Sequence, residues 1–151
     1  LLQSISSRIP GVALTADVMV GFPGEDEKDF KDTYDLINSL PFMDLHVFPY
    51  SRRPGTRAAS MASQVSPREK QARSQKLLNL AREKQADFVA GHVGQELNLL
   101  VERQMENQDY VGLSDNYIEV NFQSPRDLRG EFTRVRVEEI KSGQVKGTIL
   151  I

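Results

Sequence analysis

From Leu14 to Gly21 nearly every position is apolar and Asp17 is the one charge, the pattern of a strand buried in a parallel sheet. The chain then turns at Pro23-Gly24. Glu25, Asp26, Glu27 and Asp29 place negative charge where a helix N-terminus favours it, and Phe30, Tyr34, Ile37 and Leu40 follow at helical spacing. Pro41 stops that helix. From Asp44 to Pro49, Leu45, Val47 and Pro49 alternate with His46 and Phe48, which predicts a second short strand. A right-handed crossover makes the two strands parallel neighbours, with their polar loops at the strand ends, where α/β folds bind ligands.

Residues 50 to 65 lack periodicity and are rich in Ser, Arg and Ala, so they read as an ordered loop or an extended linker. Ser66-Pro67-Arg68-Glu69 combines an N-cap serine, proline at the first helical position and glutamate at the third, which predicts a capping box. The helix continues through Leu77, Leu78, Ala81 and Phe88 and is expected to end at Gly91. Beyond Gln95 the texture changes to short β-rich runs over 96–104, 109–113, 117–122, 131–140 and 145–151. Turn residues separate them, at 106–108 and 114–116, through Pro125 and Gly130, and at 142–143. Five short antiparallel strands in so few residues predict a small OB-like barrel. The expected division is therefore 1–65 as an α/β unit, 66–91 as a basic helical connector and 92–151 as an all-β barrel.

Composition changes this picture in two places. The formal net charge of −2 conceals a partition. Residues 51–86 hold nine Lys/Arg against two Asp/Glu, whereas 1–50 hold three against eight and 87–151 seven against eleven. Such a basic middle either attracts phosphate or is a solvated helix face. The chain also has no cysteine and only two histidines, which excludes a disulfide framework and a thiolate metal site within these residues. No apolar run approaches a membrane span and no leader opens the chain, so a soluble, cytoplasmic protein without a membrane partner is expected.

Candidate chemistry is sparse. Asp17 either accepts hydrogen bonds from a ligand or serves a neighbouring strand. His46 has the ordinary pKa range for proton transfer, although a histidine on a strand is more often packed and hydrogen-bonded, and His92 is read as structural. The guanidinium groups of Arg52, Arg53 and Arg57 sit in the loop Ser51-Arg52-Arg53-Pro54-Gly55-Thr56-Arg57, where they suit carboxylate or phosphate, or simply face solvent. In the barrel, Tyr110, Tyr117, Phe122 and Phe132 are the aromatics, with at least half expected in the core. Arg103, Arg126, Arg129, Arg134 and Arg136 are available for backbone contacts. Arg134 and Arg136 alternate with Val135 and Val137, so both point to one face.

The segment Gly21-Phe-Pro-Gly-Glu25 with Tyr50-Ser-Arg-Arg-Pro-Gly-Thr-Arg-Ala58 resembles the late part of a radical S-adenosylmethionine methylthiotransferase, and the terminal barrel resembles its TRAM domain. Asp17-Val-Met-Val-Gly-Phe-Pro-Gly-Glu25 and the strand and loop from Leu45 to Thr56 most resemble the branch acting on threonylcarbamoyladenosine beside the tRNA anticodon. The resemblance implies the end of a partial radical-SAM, TIM-like barrel followed by a TRAM barrel. It implies S-adenosylmethionine and two 4Fe-4S clusters in the full-length enzyme, tRNA as partner, and N-terminal cluster-binding and barrel portions outside this sequence. Because clusters need cysteine thiolates, these residues would be a C-terminal fragment, inactive alone, with no catalytic or metal-binding residue of their own. Carried onto this chain, the family's cofactor floor falls on Met19, Val20 and Gly21, with Val47 and Phe48. Gly21 to Glu25 alternatively makes only a strand-to-helix turn. The loop arginines would meet the cofactor carboxylate, the substrate's threonyl carboxylate or a tRNA phosphate, and the TRAM likeness implies that the barrel aromatics would stack on bases, with Arg134 and Arg136 the preferred RNA pair. The reading from another class is a non-catalytic RNA-binding adaptor on a degenerate α/β unit.

Overall fold

A computed structural model describes residues 1–106 and 108–150. Asn107, expected in a turn, and Ile151, the expected end of the last strand, lie outside the described residues. The elements are α1 (Leu2–Arg8), β1 (Thr15–Val20), α2 (Glu27–Ser39), β2 (Asp44–Pro49), α3 (Arg57–Ser60) and α4 (Pro67–Ala90). They continue with β3 (Glu96–Gln104), β4 (Tyr110–Ser114), β5 (Glu119–Phe122), β6 (Phe132–Lys141) and β7 (Gln144–Ile149). Two compact units result, Leu1–Ala86 and Asp87–Ile151. No helix among the described residues is long and apolar enough to cross a membrane.

In the first unit β1 and β2 run parallel, in register from Thr15 opposite Asp44 to Val20 opposite Pro49. The α2 helix begins in a reciprocal capping box between Asp26 and Asp29. It buries Phe30 and Ile37 in a core with Val20, Leu45, Leu77, Leu80 and Ala81. Because a strand alternates faces, only one side of β1 meets this core. Asp17 is exposed, which corrects the expectation of a strand buried on both faces.

The α4 helix starts as expected: Ser66 Oγ accepts from the Glu69 amide at 3.2 Å while Glu69 Oε2 accepts from the Ser66 amide at 3.2 Å. Its residues pack on two different cores. Leu77, Leu80 and Ala81 belong to the first core, whereas Phe88 and Val89 pack against the core of the second unit. Part of its basic stripe is engaged within the first unit, whereas Arg68 and Arg82 are exposed. Arg73 binds Glu25 at 2.8 Å and Lys76 approaches Glu27 at 3.9 Å. Lys70 donates to the Tyr50 carbonyl, and Lys84 donates to the carbonyls of Asn38 and Leu40 at the end of α2. The acidic start of α2 and its carbonyl end are thus matched by cations from α4, and α2 has no basic residue in its own last turn. The helix ends at Ala90, but the left-handed residue after it is Gly94, with φ +84°, rather than Gly91.

The second unit is a closed five-stranded barrel in the order β3-β4-β5-β7-β6, with β6 returning to β3. One pair departs from the all-antiparallel expectation: β5 and β7 are parallel and close the barrel. Leu97, Leu99 and Val101 on β3, and Val135 and Val137 on β6, alternate inward. They meet Tyr110, Val120, Phe122, Leu128 and Val145. Irregularities between Val101 and Arg103 and between Val137 and Glu139 interrupt the ladders, as tight closure requires. Gly147 sits where a Cβ would lie 2.6 Å from the Arg136 carbonyl oxygen and collide with Val135.

Candidate functional site

The parallel register divides the five residues expected at a cofactor floor. Met19 stands opposite Phe48, and Asp17 opposite His46, so these four share the face of the β1–β2 sheet turned away from the helices. Met19 and His46 are exposed and Phe48 is half-buried, its ring centroid 5.9 Å from that of His46. Val20 and Val47 alternate to the opposite side, where they belong to the helix-facing core. The side chains of the expected set are therefore not gathered on one surface, because neighbours in a strand point in opposite directions.

Gly21 has φ +71°, the left-handed region. Its missing side chain makes room for the Lys70 stem, which a Cβ would strike. Its amide donates to Glu25 Oε2 at 2.8 Å. Arg73 Nη1 donates to Glu25 Oε1 at 2.8 Å and to the Glu25 carbonyl at 3.0 Å. The turn is closed from within, and the Glu25 carboxylate is occupied by a glycine amide and a guanidinium. Sequence reasoning did not pick out Arg73, since it looks like any cation of a basic helix. Its burial, with the side chain 7% exposed, sets it apart.

The loop after β2 is ordered by its own backbone. Thr56 donates through its amide and hydroxyl to the Arg53 carbonyl, Gly55 takes φ +81°, and Thr56 Oγ1 then accepts from the Ala59 amide to start α3. Arg52 Nε donates to the Ala59 carbonyl at 2.8 Å, so part of this guanidinium holds the loop. Arg52 and Arg57 line one cleft of about 680 Å³ with Pro54, Gly55 and Thr56. Arg53 is exposed outside that lining.

On the barrel, Arg134 and Arg136 do point to one face, both exposed beside the buried Val135 and Val137. Their environments differ. Arg136 donates to Glu96 on the neighbouring strand at 2.8 Å, and this bond raises the Arg136 pKa further above its ordinary value. Arg103 pairs with Glu119, Arg126 with Glu131 and Arg129 with Asp127. The aromatics divide evenly. Tyr110 and Phe122 are buried and pack together, whereas Tyr117 and Phe132 are 70% and 78% exposed. Tyr117 lies in the turn before β5 rather than in the strand, with φ +64°. It lines a cleft of about 870 Å³ with Phe132, Arg134, Leu100 and Asn98. Leu100 and Asn98 were not anticipated, although they are the outward positions between Leu97, Leu99 and Val101.

His92 is structural, as read. Its Nδ1 lies 2.8 Å from the Phe88 carbonyl and its Nε2 3.0 Å from Asn116 Nδ2, an arrangement that the neutral ring satisfies by donating to the former and accepting from the latter. No group of three or more His, Cys, Asp or Glu capable of holding a metal occurs among the described residues.

Residues 92–150 match the TRAM domain family. The chain is 36% identical over 146 residues to threonylcarbamoyladenosine tRNA methylthiotransferase MtaB of Bacillus subtilis, covering 94% of this chain and 32% of the relative. It is 35% identical to a tRNA-2-methylthio-N(6)-dimethylallyladenosine synthase of Acetivibrio thermocellus, covering 99% of this chain and 32% of that protein. The corresponding protein of Magnetococcus marinus is 37% identical, with 99% and 35% covered. The chain thus spans about a third of the length of the curated relatives it matches.

Proposed function

On the premise that the chain belongs to the methylthiotransferase family, we propose that it is the C-terminal part of a tRNA methylthiotransferase, its first unit the end of a radical-SAM barrel and its second a tRNA-holding TRAM barrel. The observation that carries this reading is the extent of the likeness, which runs through both units and not the TRAM segment alone. That extent disfavours a freestanding RNA-binding adaptor. The substrate we propose is a modified adenosine beside the anticodon. The strand and loop from Leu45 to Thr56 favour the threonylcarbamoyl form, while relatives named for either form match at similar identity.

The donor set limits what these residues do. Cluster ligation needs thiolates and the chain has none, so both 4Fe-4S clusters fall to residues outside this sequence, and the 151 residues alone are catalytically silent in this reading. S-adenosylmethionine, when bound, supplies the radical and the methyl group. Met19 and Phe48, on the face away from the helices, suit the flat apolar side of its adenine. Val20 and Val47 support that face from the core, and Gly21 with Glu25 and Arg73 sets where β1 ends.

Arg53 and Arg57, exposed on a loop braced by Arg52, are proposed to hold a phosphate or carboxylate, and Arg134 and Arg136 to face RNA. The whole coding region, expressed in cells lacking tRNA methylthiolation, is expected to restore the methylthio form of threonylcarbamoyladenosine, read by mass spectrometry of tRNA nucleosides. Methylthiolation of dimethylallyladenosine instead would change the branch. An unmodified tRNA that the protein nonetheless binds would favour the adaptor.

A further inference from the structure

Three independent features converge on the barrel cleft lined by Tyr117, Phe132, Arg134, Leu100 and Asn98. Single exposed apolar residues are ordinary on a surface, but here two aromatic rings, each at least 70% exposed, and the partly exposed Leu100 line one depression. The second feature is strain. The Tyr117 amide donates to the Ser114 carbonyl and the Ser114 amide to the Ile118 carbonyl, so Tyr117 occupies the left-handed position of a short hairpin loop where glycine is the usual residue. The turn is braced from beneath: Ser114 Oγ donates to Asn116 Oδ1 at 2.6 Å, and Asn116 reaches the buried His92. A bulky ring is thereby held facing solvent in a backbone conformation that costs stability. The third feature is charge. Arg103, Arg126, Arg129 and Arg136 each have a carboxylate partner, whereas Arg134 has none among the described residues and lies in this cleft.

We propose that this cleft binds one unpaired nucleobase of RNA, stacked on Tyr117 or Phe132, with the Arg134 guanidinium on the adjoining phosphate. The proposal rests on the RNA-facing reading of the barrel given above. Flat rings beside a guanidinium bonded by no carboxylate among the described residues match a base and its phosphate, although Asp115 also lines the cleft. Residues 92–151 carry seven Lys/Arg against ten Asp/Glu, so affinity here comes from stacking at one place rather than from a general basic surface. A duplex, whose bases are already stacked and paired, offers no face to such a cleft.

The test uses the 151-residue chain, a six-nucleotide single-stranded RNA carrying the fluorescent base analogue aminopurine, the matching duplex, and tRNA. The single strand is expected to bind with quenching and the duplex to bind weakly. Tyr117→Ala and Phe132→Ala are each expected to weaken single-strand binding by at least about fivefold, while Tyr117→Phe and Phe132→Tyr bind like the parent. Arg134→Gln should lower the slope of log affinity against log salt by about 0.7. Melting separates a binding role from a structural one. Tyr117→Gly is expected to raise Tm, since glycine accepts the left-handed backbone, while weakening binding. Unchanged single-strand affinity in both alanine variants, or equal affinity for the duplex, overturns the proposal. If tRNA binding in those variants is unchanged yet falls in Arg53→Gln/Arg57→Gln, the RNA reading survives and the cleft does not. Failure of the parent to bind either the single strand or tRNA removes both.

Discussion

The fate of single charges in this protein depends on what stands beside them. Asp127 illustrates this: the Arg129 side chain, and then its backbone amide, hydrogen-bond the Asp127 carboxylate and lower its pKa to about 2. A carboxyl with a depressed folded pKa contributes stability that is present above the unfolded value of about 3.9 and lost as pH falls toward 2. Carbon NMR titration is expected to place the Asp127 midpoint near the low value, and Arg129→Ala to return it to the ordinary carboxylate range. Arg73 is the buried counterpart. Removing it strands the mostly buried Glu25 carboxylate that holds the Gly21 amide, so Arg73→Ala is expected to cost about 3 kcal/mol in urea unfolding. A loss under about 0.5 kcal/mol, the level of a surface pair, would contradict the buried role.

Elements here are begun by local chemistry and completed by distant partners. The α4 start is local. Ser66→Ala removes one half of the capping box and is expected to lower stability by about 1 kcal/mol, with Ser66→Asp largely retaining it. The end of α2 is not local, since Lys84, more than forty residues away, supplies the donors for its last carbonyls. In the barrel, Gly147 leaves no room for a side chain between β7 and β6. Gly147→Ala is expected to cost about 1 to 3 kcal/mol or to prevent closure, visible as loss of near-UV dichroism and dispersed amide signals. An alanine variant as stable as the parent would mean that the barrel can widen there.

For the molecule as a whole, the two compact units meet in sequence within α4, at residues 86 and 87, upstream of the TRAM match that begins at 92. Phe88 and Val89 pack on the barrel core, and Phe88 supplies the carbonyl that fixes His92. A chain beginning at residue 86 is therefore expected to fold as a barrel, and one beginning at residue 93 to melt at lower temperature or fail to fold. The proposed RNA binding belongs to this scale as well. Replacing Arg53 and Arg57 together by Gln should reduce the salt slope of tRNA binding by about 1.4 to 1.8. An unchanged slope would remove that loop from the interface.

Periodicity by itself determined β1, α2, β2, the α4 start and the barrel strands within a few residues, because apolar spacing and capping residues act on the nearest turn of chain. It also determined that Arg134 and Arg136 share a face, since strand alternation is a local rule. The α1 helix, which buries nothing, left no such mark. Only the tertiary structure decided which cations were free. Arg73, Lys70 and Lys84 look in sequence like a solvent-facing stripe, yet they answer Glu25, Tyr50 and the end of α2 from far along the chain. The parallel β5–β7 pairing and the split of Met19 and Phe48 from Val20 and Val47 were likewise decided there. Hydrophobic pattern records that a side chain is covered, but strand order, partner and the direction a face looks are set by contacts between residues distant in the chain.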